Sequence, residues 1–453
     1  MARLAHGLAL ALVAAIAACS SDEETAEDAL TVPGAETDPP GAGASRGAPP
    51  AVDAPGDPGA AEETAPRFVD TCDLQASVCT AAPAGFREGA GLAPIDRCAF
   101  GLEESAGLGA PPALVTALET IATRVGVAEV LADTNRTATT TTRVPGSPSN
   151  VAYAFRWQND DDASTAWIPQ GITGTADAAT SGQVGGKSAV LVSFYDKAEG
   201  GATNEGVRIA FVDTTAPAAP KYRFALLATP TGTPASPSFA PVRIHAGGIA
   251  WFGDFLYVAD TTRGFRVFDL RHILRVSIAT AFGCGEGACS AANYKYVIPE
   301  VGKYQIASAC KPLFSFVSLD RKSDPPALVS GEYCSTTACA GPLASRVYRW
   351  PLDPKTGLLR SKTTFPTEAF LTSHKQVQGA ATVDGTYYLS SSAPPAGAGE
   401  IYRVAGNKSA TSRWSDSPED LMVDHGSGWL WSLSEAPNAR AVFAVTLASY
   451  PKP

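Results

Sequence analysis

The chain has 453 residues, 45% of them hydrophobic and 18% charged, with 42 glycines and 35 prolines; this is enough apolar length to bury a large core. Its net charge of −10 excludes the overall basic balance on which nucleic-acid binding through counterion release depends. The charge is unevenly spread, and its distribution divides the chain.

Residues 1–19 read as an export signal. Arg3 is the positive head, Leu8 to Ala15 the short apolar core, and Ile16-Ala17-Ala18-Cys19 the end. An aliphatic residue and two small ones before a cysteine resemble the lipobox of bacterial lipoproteins. That resemblance implies cleavage before Cys19, lipidation of its sulfur and of the new amino terminus, and attachment to the cell envelope. Ser20 after the cysteine implies sorting to an outer membrane. Several acyl chains together make a lasting anchor. An ordinary secretory signal with a chance cysteine is the alternative reading of the same residues.

Residues 20–66 hold eleven acids against the single base Arg46 and almost no large apolar side chains. Such a composition cannot offset the entropy of ordering, so a disordered, self-repelling tether is expected. The tether carries −10, the signal +1, and the remainder of the chain about −1. No basic stripe is left for nucleic acid, and the membrane is reached through the lipid anchor only.

Eight cysteines follow Cys19, an even number that reads as disulfides in an exported protein. Cys284–Cys289 and Cys334–Cys339 repeat one four-residue spacing and are expected to close tight loops. Cys72–Cys79 is the next expectation, with Cys98–Cys310 following by elimination. A single zinc site made by the four closely spaced thiols is the rival reading.

Residues 67–145 are expected to form a small cap. Pro111-Pro112 start a helix whose Leu114, Leu118, Ile121 and Val125 share a face until Gly126 stops it. Thr137 to Thr142, β-branched and polar, is a loop or an edge strand. From 146 to 453 the helix period disappears, and short strands recur between Gly, Pro, Asp and Asn.

Openers at 170–173, 247–250, 378–380 and 419–421 each precede an apolar strand, at 189–196, 255–260, 386–390 and 428–433. Each is followed by an alternating strand, at 206–213, 264–269, 399–404 and 441–445. A divergent copy lies at 312–316, 327–333 and 346–350. Units that bury their faces only against neighbours point to an all-β fold, a β-propeller of five to seven blades with five clear units. A β-sandwich or two β domains is the alternative.

The segments around His245 to Trp251, Leu256 to Asp260 and Gly264 to Asp269 resemble blades of NHL-type propellers. With Trp167 to Gly171, Gln378 to Ala380 and Pro418 to Leu421 they also resemble a family of secreted propeller lipoproteins of soil bacteria. The resemblance implies a fold and a compartment, and no reaction.

In a propeller, openers and the ends of second strands meet on one face. The openers contribute Gln170, His245, Gln378, Glu419 and Asp420; the second set is Asp196, Asp260, Glu332 and Glu435. The candidate ligand site is Gln170, His245, Asp260, Gln378, Glu419, Asp420 and Glu435. The competing reading is that openers are polar because they ring a wet channel. His272, His374 and His425 are expected at the surface, and Asp160-Asp161-Asp162 as a solvated turn.

There is no Gly-x-Ser-x-Gly elbow, no His-Glu-x-x-His helix and no EF-hand loop. Two functions stay open: a tethered, monomeric binding module for a glycan, peptide or partner protein, and a metal-dependent hydrolase or lactonase-like enzyme. The first needs no cofactor; the second would hold a divalent cation such as calcium in the channel.

Overall fold

The protein is described from a computed structural model, which covers residues 70–76, 91–109, 111–198, 204–285, 287–334, 346–392 and 398–453. Cys19, the acidic stretch, Cys79 and Cys339 lie outside the described residues.

Apolar runs too short for helices and rich in β-branched and aromatic residues become strands that pair with their sequence neighbours. Blade 1 is Trp167–Gly174, Ala189–Asp196, Val207–Asp213 and Lys221–Thr233. Blade 2 is Ile249–Phe252, Phe255–Asp260, Gly264–Asp269 and Tyr296–Ile306. Blade 3, the divergent copy, is Phe316–Asp320, Ala327–Gly331, Arg346–Pro351 and Glu368–Thr372. Blade 4 is Val377–Val383, Thr386–Ser391, Glu400–Ala405 and Lys408–Arg413.

Blade 5 takes Pro418–Asp424, Trp429–Ser434 and Val442–Thr446 from the chain's end, and its outer strand Val151–Arg156 from before blade 1. The first strands of the five blades neighbour one another in a closed ring. The fold is a five-bladed β-propeller, closed by pairing early strand with late.

The glycine openers work as their position suggests. A Cβ at Gly171 would stand 2.6 Å from the Ile249 nitrogen, and one at Gly379 2.6 Å from the Asp420 Cα. Only a residue without a side chain lets the inner strands of adjacent blades approach this closely. Between blades, aromatic clusters fill the wedge. Trp157, Phe194, Tyr222 and Phe224 pack edge to face beside blade 1, and Phe265, Phe314 and Trp350 beside blade 3.

The segment expected as a cap lies along the outside of the ring as a belt. Leu92–Pro94 adds a strand to blade 3 and Leu102–Glu104 to blade 2. Arg136–Thr137 then pairs with blade 1 and Thr139–Thr140 with blade 5. The threonine run is therefore edge strand. The helix after Pro112 is shorter than its apolar spacing suggests, Ala113–Leu118, because Thr123–Val125 leaves to pair with Ile273–Arg275 in blade 2. A second helix, Val127–Ala132, follows, with Glu129 accepting from the Gly126 nitrogen at 3.0 Å.

Cys284–Cys289 forms as expected, across the hairpin Phe282–Gly285 and Ala288–Ala291. Cys72 pairs with Cys98, not with Cys79, and this also removes the Cys98–Cys310 expectation. The reason is tertiary: Asp70 holds Arg97 at 3.1 Å, which lays 70–76 against the belt. Cys310 and Cys334 are both disulfide-bonded; Cys339, expected on Cys334, is outside the described residues.

The Asp160-Asp161-Asp162 run is not a solvated turn. It forms the helix Asn159–Ala163 between the closing strand and blade 1, with Asp161 and Asp162 buried. The Asp161 carboxylate accepts from Arg136 and Arg208, each at 3.1 Å, and from the Tyr222 hydroxyl at 2.5 Å. Asp162 takes the Arg440 nitrogen at 2.9 Å and pairs with Arg156. Buried charges survive here because cations and donors surround them.

Candidate functional site

The inner strands of blades 1, 4 and 5 slip register where they begin: between Pro169 and Ile172, between Val377 and Gly379, and between Pro418 and Leu421. A bulge leaves residues out of the ladder and re-aims their side chains. The residues in these bulges include Gln170, Gln378, Glu419 and Asp420, four of the candidates expected from the sequence. Pro169 and Pro418 beside them suit this, since proline has no ladder N–H to lose.

Two amide–carboxyl pairs result. Gln170 Nε2 donates to Glu435 Oε2 at 2.9 Å and to the Pro169 carbonyl at 2.9 Å. Gln378 Nε2 donates to Glu419 Oε1 at 3.3 Å. Glu419 is 1% exposed, and burial first, then the charges of Glu435 and Asp420, push its carboxyl well above its ordinary 4.5. Burial also raises Glu435; its bond from Gln170 and the charges of Arg440 and Lys197 offset part of this. One site on the face where inner strands begin thus joins blades 4, 5 and 1, and its two acids have no direct cationic partner among the described residues.

The other acids at second-strand ends differ. Asp196 caps the nitrogens of Ala198 and Glu205 at 2.9 and 2.7 Å. Asp260 is held by Arg266 at 2.9 Å, whose guanidinium also reaches Glu300 at 2.6 Å. Glu332 binds Arg346 at 2.7 Å and the Leu313 nitrogen at 3.0 Å. Asp260 is therefore spent within blade 2, and no contact among the described residues ties it to the Gln170–Glu435 pair.

Asp420 is fully buried on the ring's inner wall. Its Oδ2 accepts from the nitrogens of Ile172 and Ile249 at 3.2 and 3.3 Å, tying blade 5 to blades 1 and 2, while Oδ1 has no partner among the described residues. Burial holds its carboxyl well above the ordinary 3.8. His245 lies just ahead of the blade 2 inner strand and packs against Tyr195, ring centroids 4.6 Å apart and planes tilted by 37°. Burial lowers its imidazole to about 4, so it is neutral at pH 7. Tyr195 pairs with Ile168 in register, which sets this aromatic shelf beside the blade 1 opener.

Sequence reasoning missed Tyr195 as a platform, and also Glu205, whose carboxyl burial and neighbouring Asp196 raise to about 7. Only its place in a blade 1 loop on the opener face hinted at it. The surface expectation fails for two histidines. His272 is buried with Nδ1 2.5 Å from Glu119, and buried His374 stacks on Tyr402 at 3.8 Å. His425 is half-buried. Among the described residues no group of three His, Cys, Asp or Glu is arranged to hold a metal ion.

No protein-family profile and no curated protein sequence matches the chain. Solved structures similar to it include a GH43_1 enzyme from Xanthomonas citri, at TM-score 0.29 and 9% identity over 73% of this chain and 92% of that one. A gluconolactonase from Xanthomonas campestris is similar at TM-score 0.30 and 13% identity, over 70% of this chain and 88% of that one. Drosophila Semaphorin 1b gives TM-score 0.26 and 8% identity, over 67% and 88%.

Proposed function

We propose that the opener face is a binding site for a neutral, hydroxyl-rich ligand of the glycan class, carried by a domain tethered through lipidated Cys19. The observation behind this is the Gln170–Glu435 and Glu419–Gln378 pairs, built from three adjacent bulges and the end of the blade 5 second strand. Carboxamides and a carboxyl whose burial shifts it towards the protonated form offer donors and acceptors side by side, which suits hydroxyl groups and disfavours a second anion. The His245–Tyr195 shelf adds an aromatic surface for the apolar face of a sugar ring.

Calorimetric titration with neutral xylo- and cello-oligosaccharides, alongside uronate oligomers, tests the reading. Saturable binding of a neutral sugar, weakened at least tenfold by Gln378→Ala, supports it; uronate preference or no binding rejects it. Palmitate labelling that disappears in Cys19→Ala tests the tether.

A second reading, hydrolysis, rests on one arrangement: a buried carboxyl raised by burial and by the neighbouring Glu435 and Asp420 is the kind that general acid–base catalysis uses. Release of reducing ends from the same oligosaccharides, abolished in Glu419→Gln, would favour it over binding alone.

A further inference from the structure

The belt covers the outer edges of four blades and leaves one open. Blades 3, 2, 1 and 5 each gain an extra strand from residues 92–140. At blade 4 the belt adds no strand among the described residues; the Leu92 nitrogen donates to the Gly406 carbonyl of its outer turn at 3.2 Å, and the Leu92 side chain joins the cluster of Tyr387 and Val404. The outer strand Lys408–Arg413 pairs with Glu400–Ala405 on one side, and with no strand on the other among the described residues.

Which groups face outward follows from the register. Trp414 donates to the Gly399 carbonyl at 2.8 Å, so positions 399 and 414 are a hydrogen-bonded pair. Such pairs alternate in an antiparallel ladder, so Lys408, Ala410 and Ser412 bond inward. Ser409, Thr411 and Arg413 then turn their N–H and C=O groups out.

The edge is also charged at both ends. Lys408 and Arg413 are exposed and have no ion-pair partner among the described residues. Arg403, one strand in, reaches Ser412 Oγ and the Pro451 carbonyl, each at 3.2 Å. The nearby Glu400 carboxylate is taken up by the Tyr402 hydroxyl. Exposed lysine on an edge ordinarily discourages pairing with like strands. The same cations favour a strand of opposite charge.

We infer that the outer edge of blade 4 binds an extended acidic segment of a partner protein, added as a fifth strand opposite Ser409, Thr411 and Arg413. Main-chain bonds would supply affinity, and Lys408 and Arg413 the preference for acid. The surface is separate from the opener face and does not depend on the glycan reading.

The test uses the full chain and a fluorescein-labelled peptide alternating glutamate with valine and threonine. Its lysine counterpart and a centrally proline-substituted version serve as controls. Expected are saturable binding of the acidic peptide alone, weakening with salt, and slowed amide exchange at Ser409, Thr411 and Arg413. Thr411→Pro removes the central outward N–H and should cut binding at least tenfold. Lys408→Glu with Arg413→Glu leaves the backbone intact and should transfer binding to the lysine peptide. Equal binding of all three peptides, no binding of the acidic one, or amides already protected in the free full chain would each overturn the inference.

Discussion

Blades 2 and 5 place an acid at or just past the end of the second strand and an arginine near the start of the third, yet they use the pair in opposite ways. In blade 2, Arg266 lies between Asp260 and Glu300, so both charges are neutralised in place. In blade 5, Arg440 turns from the Glu435 carboxylate to main-chain carbonyls: Glu435 at 2.8 Å, Asp161 at 2.5 Å and Ser164 at 2.7 Å. Glu435 is left to Gln170. One blade spends its acid on stability, while the other keeps acids without a directly paired cation among the described residues, beside the inner-strand bulges. Uncompensated burial costs free energy, so a fold keeps it where a site uses it.

The sharpest break in this comparison is Arg266→Met. It leaves Asp260 and Glu300 buried without their cation, and removing one partner of such a cluster costs about 3–5 kcal/mol. Denaturant unfolding measures this. A loss under about 1 kcal/mol would mean that blade 2 neutralises its acids no better than blade 5.

The pH dependence should come next in size. The carboxyls of Glu419 and Glu435 are raised in the fold, and Asp177, beyond the inner strand of blade 1, is raised from 3.8 to about 7 by burial. The folded state therefore holds protons that the unfolded chain releases above about pH 4. That contribution is complete below the unfolded value and is lost as pH rises through the folded one. Stability should fall between pH 4 and 7, with Asp177 alone responsible for about 4 kcal/mol and Glu205, raised to about 7, adding to it, while His245, lowered to about 4, offsets part of the fall below about pH 6.5. A denaturation midpoint that rises across this window would contradict it.

Glu419→Gln isolates blade 5's share. An amide keeps the shape and cannot ionise, so the variant should lose less stability than wild type as pH rises from 5 to 8. A loss above about 2 kcal/mol at both pH values would mark Glu419 as structural.

Much of this was legible locally. Opener, apolar strand and alternating strand recur within each blade, so the five units and the residues flanking Gly171, Gly379 and Leu421 could be found by pattern. The burial of Asp161 could not, because it depends on Arg136, on Arg208 and on Tyr222 sixty-one residues away. Asp260 looked like Glu435 because the arginine that distinguishes them is a matter of rotamer and not of spacing. Cys72 reached past its neighbour Cys79 to Cys98 because the belt, which carries no repeat, brought Arg97 to Asp70.

The smallest effect expected is the most specific. Gln170 is 2% exposed, and its carboxamide is the hydrogen-bond donor that Glu435 receives. Gln170→Ala removes that donor but leaves the bulge, which Pro169 and Gly171 flank, so the fold should lose only about 1 kcal/mol. The carboxyl of Glu435, without a bond that favours its charged form, should titrate higher than in wild type. Carbon-detected NMR of the glutamate carboxyl groups resolves that shift. No shift at Glu435 would dissolve the distinction between an acid held by an arginine and one held ready by an amide.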